Sequence, residues 1–196
     1  MKKGLIWLLV IAGLVLILFF AFKGKYNSMV EKEEATTGQW ANVETAYQRR
    51  ADLIPNLVNT VKGAADFEKG TLTEVIEARA KATSINVNAN DLNPETIAKF
   101  QEAQNQLSGA LSRLLVSVER YPELKANQNF LALQSQLEGT ENRISVERRR
   151  FNETVQDYNT YIKKFPNNIV AGFGGFDDKG YFNSAPGSEV APTVEF

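Results

Sequence analysis

Five polar side chains fall where the apolar periodicity reserves a place for core residues: Glu68, Arg79, Gln104, Thr140 and Glu147. Glu68 and Glu147 are carboxylates, the group that acid–base hydrolysis or a hard metal ion requires. A di-iron site between helices would take Glu-x-x-His pairs, and the chain has no histidine. Single polar groups in a helical core also fix partner and register, and we read these five that way. No residue is assigned as catalytic, cofactor-binding or metal-ligating, and no cofactor is expected.

Two other stretches could carry chemistry. Arg143 and Arg148-Arg149-Arg150 are basic enough for a phosphate site. Three consecutive helical residues spread around the circumference, however, and cannot make one flat patch. Glu138, Glu141, Glu147 and Glu153 lie within ion-pair reach along the same helix, so solvated pairs are expected. Gly172-Phe-Gly-Gly-Phe176 lacks the lysine and the strand–helix setting of a phosphate loop. The segment Phe173 to Phe182 reads either as an aromatic strap docked on its own chain or as a strap that binds a partner or a second copy.

Composition narrows the classes further. The 196 residues include neither cysteine nor histidine, which removes disulfides, thiolate nucleophiles and His/Cys metal sites. Residues 1–25 carry Lys2, Lys3, Lys23 and Lys25 and no acid, leaving 18 of the 22 basic groups against all 23 acidic ones, a net of −5 beyond the N-terminus. An acidic body of this kind is not expected to bind nucleic acid.

The elements that would position these groups are helices. Leu5 to Phe22 is 18 residues without a charge, enough to cross a hydrocarbon core of ~30 Å. Phe22-Lys23-Gly24 offers no small-x-small cleavage site, so a retained single-pass transmembrane helix is expected rather than a signal peptide. Gly4, Ala12 and Gly13 form no GxxxG pair. The lysines at both ends nearly balance; we expect the N-terminus inside and the domain on the extracytoplasmic (periplasmic) side. Tyr26 to Arg50 has no proline and should continue the membrane helix into the domain without a linker.

Pro55 lacks an N–H and predicts a stop or kink, with a second helix starting there and running to about Ser84. Its stripe would be Ile54, Val58, Val61, Ala65, Glu68, Leu72, Val75, Arg79 and Ala82. Arg49, Arg50 and Asp52 would form a local ion cluster at the corner. Asn86 to Asn93 reads as a polar loop ending in a cap, without the spacing of a calcium loop. A third helix over Pro94–Tyr121 has the stripe Ile97, Phe100, Gln104, Leu107, Leu111, Leu114, Val118 and Tyr121. A fourth over Gln128–Phe165, roughly 55 Å long, has Phe130, Leu133, Leu137, Thr140, Ile144, Glu147, Phe151, Val155, Tyr158, Ile162 and Phe165.

These elements specify an all-α chain: a transmembrane anchor over 1–25, an antiparallel up-down four-helix bundle with long, coiled-coil-like helices over 26–166, and an irregular Gly/Phe-rich strap with a flexible tail over 167–196. The fourth stripe outruns the second and third helices, which predicts cover by the strap or by a second copy.

Several words of the chain resemble the LemA family of bacterial membrane proteins: Tyr26-Asn27-Ser28-Met29-Val30, Trp40, Tyr47 to Gly63, Glu77-Ala78-Arg79, Tyr121 to Asn127, Leu137 to Ile144, Tyr158-Asn159 and Phe165-Pro166. Phe151-Asn152 departs where the family pattern has Tyr-Asn. The resemblance implies a membrane-anchored helical domain and brings no reaction. In that family the genes of membrane peptidases and other envelope proteins are often neighbours, which implies such proteins as partners. The expected function is a non-enzymatic, self-associating scaffold or adaptor of the bacterial cell membrane. The alternatives are a hydrolase using Glu68 and Glu147, and a sensor binding a small ligand between helices.

Overall fold

The computed structural model describes residues 2–63, 68–89 and 91–184. Every regular element among them is a helix: α1 Lys2–Lys62, α2 Lys69–Ser84, α3 Pro94–Val118, α4 Pro122–Lys125, α5 Gln128–Lys163 and α6 Asn167–Gly174. The tail expected over 185–196 and the stripe position Ala65 lie outside the described residues.

The N-terminal third of α1 carries its large apolar side chains exposed, from Leu5 to Phe22. None of this apolar window is buried against the rest of the chain, and it is long and apolar enough to cross a membrane. The helix then passes Gly24 without a break and enters the core, where Met29, Trp40, Val43, Ala46 and Tyr47 are buried.

α1 also passes through Pro55, where the sequence predicts a break. The physical reason lies on another helix. A proline at 55 leaves the Ala51 carbonyl without its helical donor. Arg79 of α2 reaches across and its Nε–H donates to that oxygen at 2.8 Å. The helix therefore continues to Lys62, burying Ile54, Leu57, Val58 and Val61. α2 starts at Lys69 rather than at Pro55 and keeps only Leu72, Val75 and Ala82 as buried positions. Arg79 is thus a partner of the α1 backbone rather than a core group. Glu68 is exposed and faces Arg120 at 3.4 Å.

α3 begins as its sequence reads. Asn93 caps it, accepting from the Thr96 N–H at 2.8 Å, with Pro94 at the first position. Its stripe from Ile97 to Val118 is buried. Asn127 caps α5 through the N–H groups of Asn129 and Phe130. The α5 stripe is buried from Phe130 to Ile162 apart from Leu133, which is half-buried, while Phe165 stands 82% exposed past the helix end.

α5 runs antiparallel to α1: Glu141 meets Arg50, Phe151 meets Trp40, and Ile162 clusters with Met29. α2 and α3 are antiparallel too, with the Glu74 carboxylate on Arg113 and the Ala82 carbonyl on Gln104. The core divides into three clusters along the rod. The one farthest from the apolar span takes residues from α1, α2, α3, α4 and α5. The middle one joins Trp40, Phe100, Phe151 and Phe182 with Val87 and Leu92 of the α2–α3 connection. The one nearest the span joins Met29, Tyr158, Ile162, Val170, Ala171 and Phe176. α2 is too short to reach the lower two clusters, and the C-terminal strap fills that place. The surplus apolar length of α5 is therefore covered within the same chain.

The Pro55–Arg79 coupling is testable by a double-mutant cycle on the detergent-solubilised chain. Arg79→Ala should cost about 1–3 kcal/mol, because it leaves a buried carbonyl unpaired. In a Pro55→Ala background, where the substituted residue brings back the helical donor, the same change should cost less than half as much. Equal costs in both backgrounds would mean that Arg79 does not stand in for the missing N–H.

Candidate functional site

Three buried polar centres lie along the rod. The first is Arg50, 1% exposed. Its guanidinium donates to Glu141 at 2.6 Å, to Ser108 Oγ at 2.7 Å and to Gln104 Oε1 at 2.6 Å. Gln104 in turn donates to the Ala82 carbonyl at 3.3 Å. One side chain of α1 thus reaches α3 and α5 directly and α2 through Gln104. The ring of Tyr47 lies 5.1 Å from the guanidinium carbon. Burial pushes the Tyr47 hydroxyl above its ordinary range, against the opposing pull of Arg148 and Arg50. The local cluster of Arg49, Arg50 and Asp52 does not form: Arg50 turns inward, and Asp52 accepts from Gln48 at 2.8 Å.

The second centre is Glu147, 4% exposed. It accepts from Gln39 Nε2 at 2.8 Å, with Arg150 at 3.4 Å and Arg143 at 3.8 Å. Glu147 and Glu68 do not converge. Glu147 sits beside Gln39, whereas Glu68 lies beyond the far end of α1, and from Gln39 to Lys62 that helix rises roughly 35 Å. An acid–base pair cannot be made from groups so placed. Thr140 back-bonds within α5 to the Gln136 carbonyl at 2.7 Å. Among the described residues no three acidic side chains gather where a metal ion could be held.

The third centre is the strap that follows α6. Phe176 and Phe182 are buried, Tyr181 is partly exposed, and Phe173 is outside. Side-chain amides do for this segment what a neighbouring strand would do. Asn159 accepts from the Lys179 N–H at 3.0 Å and donates to its carbonyl at 2.9 Å. Asn152 does the same for Phe182, at 2.9 and 2.8 Å. Gln101 does it for Asn183, at 2.9 and 2.8 Å. Between these, the Gly180 N–H donates to the Leu92 carbonyl at 2.7 Å. A Cβ at 180 would stand 2.7 Å from Pro94 Cα, so only glycine fits there. Phe182 stacks on Trp40 at 6.0 Å and lies under the Arg148 guanidinium at 4.8 Å. Lys179, itself buried, reaches Glu33 of α1 at 2.7 Å. The Tyr158 hydroxyl donates to the Asp177 carbonyl at 3.0 Å, and burial, with Glu33 next, holds its proton on well above the ordinary tyrosine range.

Asn152, Asn159, Gln101 and Lys179 are not singled out by the apolar periodicity. A signal is present all the same: Asn152 and Asn159 are seven residues apart on one face of a helix, where asparagine is a poor helix former. A second unit must offset that. All three centres join elements, and none presents a free nucleophile beside a base.

Asn159→Asp leaves the volume unchanged but removes the donor to the Lys179 carbonyl. Amide hydrogen exchange over 176–183 should accelerate by at least tenfold, while the α3 core around Leu107–Leu114 keeps its protection. Unchanged exchange over the strap would contradict the role given to these amides.

The matches to other proteins follow the same elements. The family model described as the LemA family matches residues 39–196, from the residue before Trp40 through the strap. The chain is 27% identical over 205 residues to magnetosome protein MamQ 2 of Paramagnetospirillum magneticum, covering 93% of this chain and 74% of that one. It is 24% identical over 155 residues to protein LemA of Metamycoplasma hominis, covering 79% and 67%. It is 26% identical over 187 residues to magnetosome protein MamQ of Magnetospirillum gryphiswaldense, covering 85% and 67%. With the match spanning most of the chain and every helix from the core of α1 onward, this chain belongs to the LemA family.

Proposed function

We propose that the chain is a non-enzymatic scaffold of the bacterial envelope, anchored by α1 with its N-terminus in the cytoplasm and its helical domain on the extracytoplasmic face. The observation that carries this reading is how the buried charges are used. Arg50 joins α1 to α3 and α5, Glu147 joins α5 to α1 and Lys179 joins the strap to α1, so these ionisable groups in the core are committed to holding elements in register. The relatives named as magnetosome proteins are named for an assembly rather than for a reaction. Lateral association of copies belongs to the same reading: tethering confines them to a plane and raises their effective concentration. So does an adaptor role toward other envelope proteins, membrane peptidases among them.

A cleft favours a second reading, a sensor for a small polar ligand. It has a volume of about 230 Å³ and is lined by Glu44, Tyr47, Gln48, Asn86 and Gln104 among others. Another cleft reaches about 630 Å³, within the roughly 300–1,000 Å³ of ligand sites, but its polar walls, Glu74, Lys81, Glu102 and Arg113, are exposed side chains. Volume does not separate the readings, and the scaffold reading stands ahead on the use of the buried charges.

Complementation of a deletion strain separates a scaffold from a hydrolase. Glu147→Gln keeps an acceptor for Gln39 and gives up only the long contacts to Arg143 and Arg150, at 3.8 and 3.4 Å, whose guanidiniums are exposed to solvent. Both Glu147→Gln and Glu68→Gln should restore the phenotype at normal membrane levels. Failure of Glu147→Gln with normal folding and abundance would favour carboxylate chemistry.

A further inference from the structure

α6 meets α1 just where the apolar span ends. Lys25 Nζ donates to Asn167 Oδ1 at 2.7 Å, at the start of α6. The Tyr26 ring lies 5.2 Å from that of Phe176, just past its end. The two ends of an eight-residue helix, about 12 Å long, therefore touch consecutive residues of α1. α6 lies across α1 rather than along it, and so in the plane of a membrane that α1 crosses. Its buried face, Val170 and Ala171, packs on Met29, Tyr158 and Ile162, all on the domain side of Tyr26. The opposite face holds Ile169, 51% exposed, and Phe173, 81% exposed, four residues apart, with Phe165 exposed just before the helix. Ile169 and Phe173 both lie in the stretch held between the Lys25 and Tyr26 contacts, about one helical turn of α1 beyond the apolar span.

We infer that α6 is a membrane-interfacial foot, with Ile169 and Phe173 inserted at the boundary between headgroups and acyl chains. The occupant is lipid, because these uncovered apolar residues are held at Lys25 and Tyr26, within about one helical turn of the exposed apolar span that ends at Phe22. A short amphipathic helix lying in the plane with an aromatic on its apolar side is the form such contacts take. Tyr26, partly exposed beside it, sits at the same depth. The foot would hold the rod at a fixed tilt and rotation on the bilayer, which one helix alone does not do. The inference rests on the anchor reading of α1.

The absence of cysteine allows single labels on the full chain. Leu14→Cys, Ile169→Cys, Phe173→Cys and Val116→Cys would carry a nitroxide in vesicles of phosphatidylcholine and phosphatidylglycerol, read by relaxation with oxygen and with a water-soluble nickel chelate. Labels at 169 and 173 should resemble the one at 14, with low nickel access at least fivefold below that at 116, which is exposed at the far end. Nickel access at 169 and 173 equal to that at 116, with 14 protected, would overturn the foot and leave the anchor. A water-exposed label at 14 would overturn both. Protection at 173 accompanied by dipolar broadening that vanishes on dilution with unlabelled chain would overturn lipid as the occupant in favour of a second copy.

Discussion

The continuity of α1 is the constraint on which the rest of the molecule depends. One helix is both the apolar span and the first element of the core, with no linker between them. A helix of this length through a proline must have its lost hydrogen bond supplied from outside, and the Arg79–Ala51 contact supplies it. α5 then has a straight partner along its length, and the three core clusters can stack on one axis. Had the chain turned at Pro55, the residues from Ile54 to Val61 would belong to a different helix and the cluster farthest from the span would lose its α1 side.

Burying charge along such an axis is expensive unless each group is paired and hydrogen-bonded. Arg50 meets this at its two terminal nitrogens, with three acceptor side chains from two helices, while its Nε is buried without a partner. Each partner comes from a helix at a fixed register, so a slip of one turn in α3 or α5 would strand the guanidinium. Glu147 with Gln39 and Lys179 with Glu33 repeat the device nearer the span. A domain whose buried charges are all committed in this way is suited to transmit position and orientation, which accords with a scaffold more than with a reaction centre.

The seams of α3 and α5 are legible because the i, i+3 and i, i+4 steps are clean and the caps Asn93 and Asn127 sit where the steps begin. Pro55 misleads because its local cost is met by a residue 28 positions from Ala51, which no window along the sequence can weigh. Arg50 is misplaced for the same reason: beside Arg49 and Asp52 it looks like surface, and its partners are 54 to 91 positions distant. The strap hides its structure because its backbone pairs with side-chain amides rather than with a strand. Its glycines therefore suggest irregularity where Gly180 in fact marks a close passage over Pro94. The first turns after Pro166 form a helix, although their glycines argue against one.

The most direct test of this picture is the distance across the junction between span and domain. Nitroxides at Leu16→Cys and Thr45→Cys, both exposed on α1, measured by double electron–electron resonance in nanodiscs, should give one narrow population centred near ~44 Å, as 1.5 Å per residue requires. A broad distribution, or a centre shortened by about 10 Å or more, would mean that α1 bends or frays between membrane and core and that the domain is not one body with its anchor.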